Sequence, residues 1–343
     1  MSVPWSGAAP CVRPSRATHK RLDSDSEPQP PSKRARRLSS ESGDAHGGLL
    51  GTAAAAATTP STVTQRGPSK IGAFLLVPSA EHCRAVHVDT GDELLCKVFS
   101  MAEYQQKIRA YGAVPPHRNV SAVREVILGE REAYIFLDKD FGDMHTLVKS
   151  RRRLDETQAR VLFRQMAEAV AHCHQAGVVL GDLKLRKFVF ADEKRTQVRL
   201  ESLEDCRVLE DPNDDAMCDT HGCPAYVSPE ILSGAAPYSG KMADMWSLGV
   251  VLYTMLAGRY PFHDADPAAL FSKIRRGHCC LPEGLSPGAR CLVQNLLRKE
   301  PSERLTASEL LAHPWFRSPT TEANPAEQTV PSFHVEDDDL LLC

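Results

Sequence analysis

The 343-residue chain is 42% hydrophobic with a formal net charge of −3, enough for one large or two-lobed core plus appendages, because single cores stop growing near ~250 residues. Near neutrality excludes a global attraction to nucleic acid or membrane and confines any charge-driven role to local blocks. No uncharged apolar run approaches the ~18 residues of a bilayer span, "MSVPWSGAAPCVRPSRATHK" has no signal-peptide core, and eleven cysteines without a CxxC pair read as reduced thiols of a nuclear or cytoplasmic protein.

Residues 1–69 are rich in Ser, Pro, Ala, Thr and Arg, include "GTAAAAATTPSTVT" and lack apolar periodicity, so disorder is expected. Within them Lys20 and Arg21 precede Lys33, Arg34, Arg36 and Arg37, a two-cluster layout that suits nuclear import as well as a solvated charge run. Ser39 and Ser40 follow two arginines and form a weak basophilic phosphorylation motif. From about residue 70 to 140 the texture is β-like, with "FLLV", "CRAVHV", "ELLCKVF" and "AYIFL" separated by turn residues, which predicts a small antiparallel sheet. From about 141 to 317 it is helical. "DETQARVLFRQMAEAVAHCHQAG" has Asp155 as N-cap, Leu162, Met166, Val170 and Cys173 on one stripe, and Gly177 at the end; "MADMWSLGVVLYTMLAG" is a second long helix. Residues 318–343 contain no Lys or Arg and end "EDDDLLLC", an acidic tail expected to be disordered. The fold class is therefore α+β, bilobal, with a small antiparallel β N-lobe and a larger α-helical C-lobe between two tails.

Residues 71–316 resemble a protein kinase domain through several separate stretches. Lys97 of "ELLCKVF" stands where a strand lysine grips nucleotide phosphates. Asp182 and Lys184 of "LGDLKLRKF" stand at catalytic-loop positions. Glu230 of "SPEIL" and Arg304 of "PSERLT" match a structural ion pair, and Asp244 of "ADMWSLGV" matches the residue that anchors the catalytic-loop backbone. Parts are also missing. A phosphate-covering loop needs glycines because only residues without Cβ let N–H groups approach phosphate, yet none lies between Gly72 and Gly91, and Pro78 lacks a donor. The helix "MAEYQQKIRAYGAV" offers Ile108 where a glutamate should pair with Lys97, and Glu103 lies too near that lysine in sequence to serve.

The metal site departs furthest. Ser202, Leu203 and Glu204 stand at the triplet whose aspartate holds magnesium, and Lys187 replaces the second ligand, an asparagine. A unit charge about 5 Å from a divalent ion, at an effective dielectric of about 20, is repelled by on the order of 6 kcal/mol. Glu201, Glu204 or Asp205 could take the metal position only by a register change. Leu180 and Gly181 replace the loop's histidine and arginine, so Asp182 reads as a polar residue satisfying its neighbours. Lys97, Asp182 and Lys184 are thus vestigial, and no cofactor or metal is expected.

The departures form a pattern. "GDMHTLVKS", "LGDLKLRKFVF", "LESLEDC", "HGCPAYVSPEIL", "YSGKMADMWSLGV" and "GRYPFHDADPAALFSKIRRG" closely resemble the Tribbles pseudokinases. The resemblance implies an adaptor that brings the constitutive-photomorphogenic RING E3 ubiquitin ligase to C/EBP-family transcription factors and contacts MAP kinase kinases. It assigns the ligase contact to Glu327, Gln328, Thr329, Val330 and Pro331, although Ser332 follows where relatives carry an acidic residue. It assigns the MAP kinase kinase contact to His313, Pro314, Trp315 and Phe316, a stretch that in ordinary kinase domains packs as core. The substrate degron falls to the groove beneath residues 202–229, with Ser202, Leu203 and Glu204 expected to shift on binding because few ties should hold them. The tail of the family can also fold back on the pseudokinase lobe. A second reading is a feeble kinase or nucleotide sensor that binds ATP without metal through Lys97. A DNA-binding reading fails, because a handful of basic residues in a disordered arm form no reading head.

Overall fold

The computed structural model describes residues 2–4, 69–78, 83–219, 223–234 and 237–317. The small lobe is one antiparallel sheet. Its strands are β1 (Ser2–Pro4), β2 (Ser69–Ile71), β3 (Phe74–Pro78), β4 (Cys83–His87), β5 (Glu93–Ser100), β6 (Val123–Leu128) and β7 (Glu132–Asp138), in the order β1-β6-β7-β5-β4-β3-β2. The four strands expected from alternation are present; β6 and the edge strands β1 and β2 were not expected. Cys96 opposes Phe136 and Lys97 opposes Ile135, so period-2 alternation sends Cys96 into a small core with Phe74, Leu76, Ala85 and Phe136 and Lys97 to the opposite face.

Helix α1 (Tyr104–Ala113) packs on the sheet through Ile108, Ala110 and Tyr111. Next come α2 (Met144–Arg151), α3 (Glu156–Gln175) and the short strands β8 (Val178–Val179), β9 (Phe188–Phe190), β10 (Val198–Leu200), β11 (Arg207–Val208) and β12 (Ala216–Met217). The chain continues through α4 (Pro229–Ser233), β13 (Tyr238–Ser239), α5 (Gly240–Ala257), α6 (Pro267–Arg276), α7 (Pro287–Leu296) and α8 (Ala307–Ala312). The α3 reading holds in detail. The Asp155 carboxylate accepts from Gln158 N at 2.8 Å, Leu162, Met166, Val170 and Cys173 are buried, and Gly177 takes φ +70°, which a Cβ would disfavour. Helix α5 is apolar on all sides and runs through the large-lobe core. It ends at Gly258, which takes a left-handed φ of +69° and leaves no room for a Cβ, since the Arg152 carbonyl oxygen lies 1.7 Å from where one would sit.

Candidate functional site

The cleft between sheet and helices holds the vestigial residues, and its charges are spent on one another. Lys97 Nζ lies 2.6 Å from Glu201 Oε1 and 3.1 Å from Glu204 Oε1. Both carboxylates come from the segment after β10, while α1 contributes the buried Ile108 at the position of the missing glutamate. Burial opposes the charge on Lys97, but Glu204 and Glu201 outweigh it and hold the ammonium above its ordinary range. Glu201 is the reciprocal case: burial would raise its carboxyl, and attraction to Lys97 pulls it below the usual carboxylate range.

Tyr111 closes the group from α1. Its hydroxyl donates to Glu204 Oε1 at 2.8 Å and accepts from Leu203 N at 3.1 Å. One turn earlier on the helix, Lys107 Nζ donates to Asp205 Oδ1 at 2.8 Å. The expectation that few contacts fix residues 202–204 is therefore corrected. Ser202 and Leu203 are buried, and α1 and β5 supply by hydrogen bonds and ion pairs the ties that metal and phosphate would supply elsewhere.

At the metal position Lys187 Nζ donates to Ser202 Oγ at 3.0 Å and lies 4.0 Å from Asp205 Oδ2. The cavity bounded by Leu180, Asp182, Leu183, Lys187, Ser202 and Cys206 has about 10 Å³, room for a single water. Among the described residues no group of three or more His, Cys, Asp or Glu could hold a metal ion. A hydroxyl and an ammonium are a poor donor set for a hard divalent cation, which prefers anionic oxygens. Asp182 accepts from Lys184 Nζ at 2.5 Å, so the loop aspartate is paired within the loop.

The scaffold beneath keeps its geometry. Asp244 on α5 accepts from Leu180 N and Gly181 N at 2.8 Å each and is 2.9 Å from His174 Nε2. Gly181 takes φ +72°; in this loop a left-handed backbone favours glycine over any side chain. Arg304, fully buried at its side chain, makes a fork with Glu230 at 2.6 and 2.7 Å and donates further to the carbonyls of Met242, Arg298 and Lys299. The segment between cleft and α4 is also pinned. Its β11 pairs with β8 and its β12 with β13, and Asp215 accepts from Ser239 Oγ and Lys241 N. Between this segment and α1 opens a groove of about 1190 Å³, with Lys107, Arg109, Asp182, Glu204 and Arg207 among its walls.

The structure brings Lys97, Ser202, Leu203, Glu204, Asp182, Lys184 and Lys187 to one cleft and puts His313–Phe316 elsewhere. Trp315 and Phe316 are buried against Phe163, and Trp315 Nε1 donates to Glu156 Oε1 at 2.7 Å. Only Pro314 is exposed and His313 half-buried. Glu327–Pro331 and the basic residues Lys20, Arg21, Lys33, Arg34, Arg36 and Arg37 lie outside the described residues, as do the two expected disordered tails apart from residues 2–4 and 69. Sequence reasoning missed Tyr111, Lys107 and the Lys97–Glu201 pairing. The only signal for it was the density of acid in "ESLED", directly after a strand that leads into the cleft.

The protein kinase domain family matches residues 80–316 of the chain. The human protein Tribbles homolog 1 is 59% identical over 281 residues, covering 79% of this chain and 75% of that protein. Dog Tribbles homolog 2 is 52% identical over 279 residues, 78% of this chain and 81% of the relative. Bovine Tribbles homolog 3 is 49% identical over 335 residues, 94% and 93% of the two chains.

Proposed function

The chain belongs to the Tribbles family of pseudokinases, and from that premise we propose that it acts without phosphoryl transfer, as an adaptor that holds a ubiquitin ligase and its substrate together. The observation that carries the reading is the closed set of charges in the cleft. Lys97 is taken by Glu201 and Glu204, and Lys187 meets Ser202 where metal ligands would stand. A nucleotide would have to break two short ion pairs to reach Lys97 and then bring its metal up to an ammonium.

In this reading the groove beside α1 takes a degron of C/EBP-type transcription factors, and Ser202–Glu204 respond to it by exchanging contacts with Tyr111 and Lys97. Glu327–Pro331 dock in the constitutive-photomorphogenic RING E3 ligase as an extended strand preset by Pro331. MAP kinase kinases are contacted through the face around His313 and Pro314, since Trp315 and Phe316 are committed to the core. The basic clusters carry the protein between cytoplasm and nucleus.

Capture on the purified ligase propeller tests the tail: the Val330→Ala, Pro331→Ala double change should abolish retention of the full chain, and equal retention would overturn the assignment. Thermal shift tests the cleft. ATP at a hundred times the dissociation constant of a competent site would stabilise by about 2.7 kcal/mol; no shift is expected with or without magnesium, and a shift abolished by Lys97→Ala would favour the nucleotide-binding reading.

A further inference from the structure

The large lobe carries opposite charge at its two ends, and helices α3 and α5 run antiparallel between them. At one end Gly258, which closes α5, packs on the Arg152 carbonyl just before α3 begins. At the other, Gly177 behind α3 packs on Pro212, and Lys241 in the first turn of α5 donates to the Pro212 carbonyl. The 20 residues of α3 span about 30 Å. At the first end Lys149, Arg151, Arg152 and Arg153 lie at and just after the end of α2, and Arg259 directly follows Gly258; all five are exposed. Among the described residues none of them is in an ion pair, and only the Arg151 guanidinium makes a side-chain hydrogen bond, to Gln158 Oε1. The C-termini of α2 and α5 and the Asp155 carboxylate that caps α3 offset about two of the five charges.

At the opposite end residues 207–219 read "RVLEDPNDDAMCD", five acids against Arg207. Glu210, Asp211 and Asp214 are exposed and in no ion pair among the described residues. They stand on a pinned loop. Strands β11 and β12 on either side of them pair with β8 and β13, and Asp211 and Asp214 accept from Asn213 N and Ala216 N. At about 0.15 M salt, charges about 30 Å apart are separated by about four Debye lengths, so neither end neutralises the other within one molecule. A second copy can do so. We propose that the arginine end of one molecule docks on the 210–214 ridge of another, head to tail. Both surfaces are preformed on the large-lobe core, so little ordering entropy opposes the contact. Two different surfaces meet, and the contact therefore repeats into rings or short chains instead of closing as a symmetric dimer. Glu210, Asp211 and Asp214 also wall the groove beside α1, so the neighbour would cover one side of it. The contact itself does not depend on what that groove holds.

Sedimentation velocity of the full chain tests this. At about 0.01 M salt, where the Debye length is about 30 Å, the sedimentation coefficient should rise with protein concentration; at about 1 M, where it is about 3 Å, the rise should vanish. Arg153→Glu with Arg259→Glu, and separately Glu210→Lys with Asp211→Lys, should each weaken self-association at least about tenfold. Mixing the two reversed proteins should restore it, because each then offers the charge that the other lacks. The N-terminal basic clusters and the acidic tail are unchanged in both, so association carried by those segments would survive the reversals. Should the Glu210→Lys, Asp211→Lys protein melt early, Glu210→Lys alone replaces it, since that carboxylate makes no hydrogen bond among the described residues; the expected fall is then about threefold. A monomer at low salt, association that survives either reversal in a folded protein, or a mixture that stays dissociated would overturn the proposal.

Discussion

The Arg304–Glu230 pair beneath the large lobe and the Lys97 group in the cleft are both buried ion pairs on a kinase frame, and they differ in where the partners come from. Arg304 meets the glutamate that its motif specifies, with three backbone carbonyls filling the remaining donors. Lys97 also stands where its motif puts it, but the helix partner is Ile108, and Glu201 and Glu204 arrive from the segment that would otherwise hold metal. The first pair supports packing whatever happens in the cleft. The second ties Lys97 to two carboxylates of the segment after β10, next to the groove beside α1.

Arg304→Ala should have the largest effect, because it strands Glu230 in a buried site; about 3–5 kcal/mol of unfolding free energy should be lost in urea denaturation. A loss below about 1 kcal/mol would mean the pair is not structural. Lys97→Met should come next at about 2–3 kcal/mol, leaving two acceptors without their charged donor, or roughly 5–10 °C in melting temperature. A near-neutral result would erase the contrast drawn between the two sites.

Titration sharpens it further. Glu201 and Asp205 are depressed in the folded state, so their contribution is complete above the ordinary carboxylate values and fades as pH falls through the folded ones. Lys97 is raised, so its contribution is complete below the ordinary lysine value and fades only as pH rises past it. The stability gap between the parent chain and Lys97→Met should thus be flat from about pH 5 to about pH 10 and narrow on the acid side below about pH 4. Narrowing near neutrality would show that other groups titrate in the cleft. Lys107→Ala should matter least, about 0.2–1 kcal/mol and reduced by salt, since Asp205 is 59% exposed at its side chain.

Much of this was legible in the chain itself. The α3 stripe with Asp155 and Gly177, the strand carrying Lys97, and Asp244, Glu230 and Arg304 could be read because each depends on local periodicity, a cap or a motif at fixed spacing. Missing glycines and the exchange of a metal ligand for Lys187 were visible for the same reason, since an absence at a motif position needs no three-dimensional knowledge. The strand β6 was passed over, because Arg124 and Glu125 interrupt the apolar run of its "VREVIL".

The sequence alone determined which chemical parts were present and which had been exchanged. Tertiary structure alone decided their pairing. Lys97 and Glu201 are 104 residues apart, and Tyr111 and Glu204 are 93 apart; no helical or strand period links them. Their meeting depends on β5, α1 and the end of β10 packing against the same edge of the cleft, a consequence of how two lobes fold around one core.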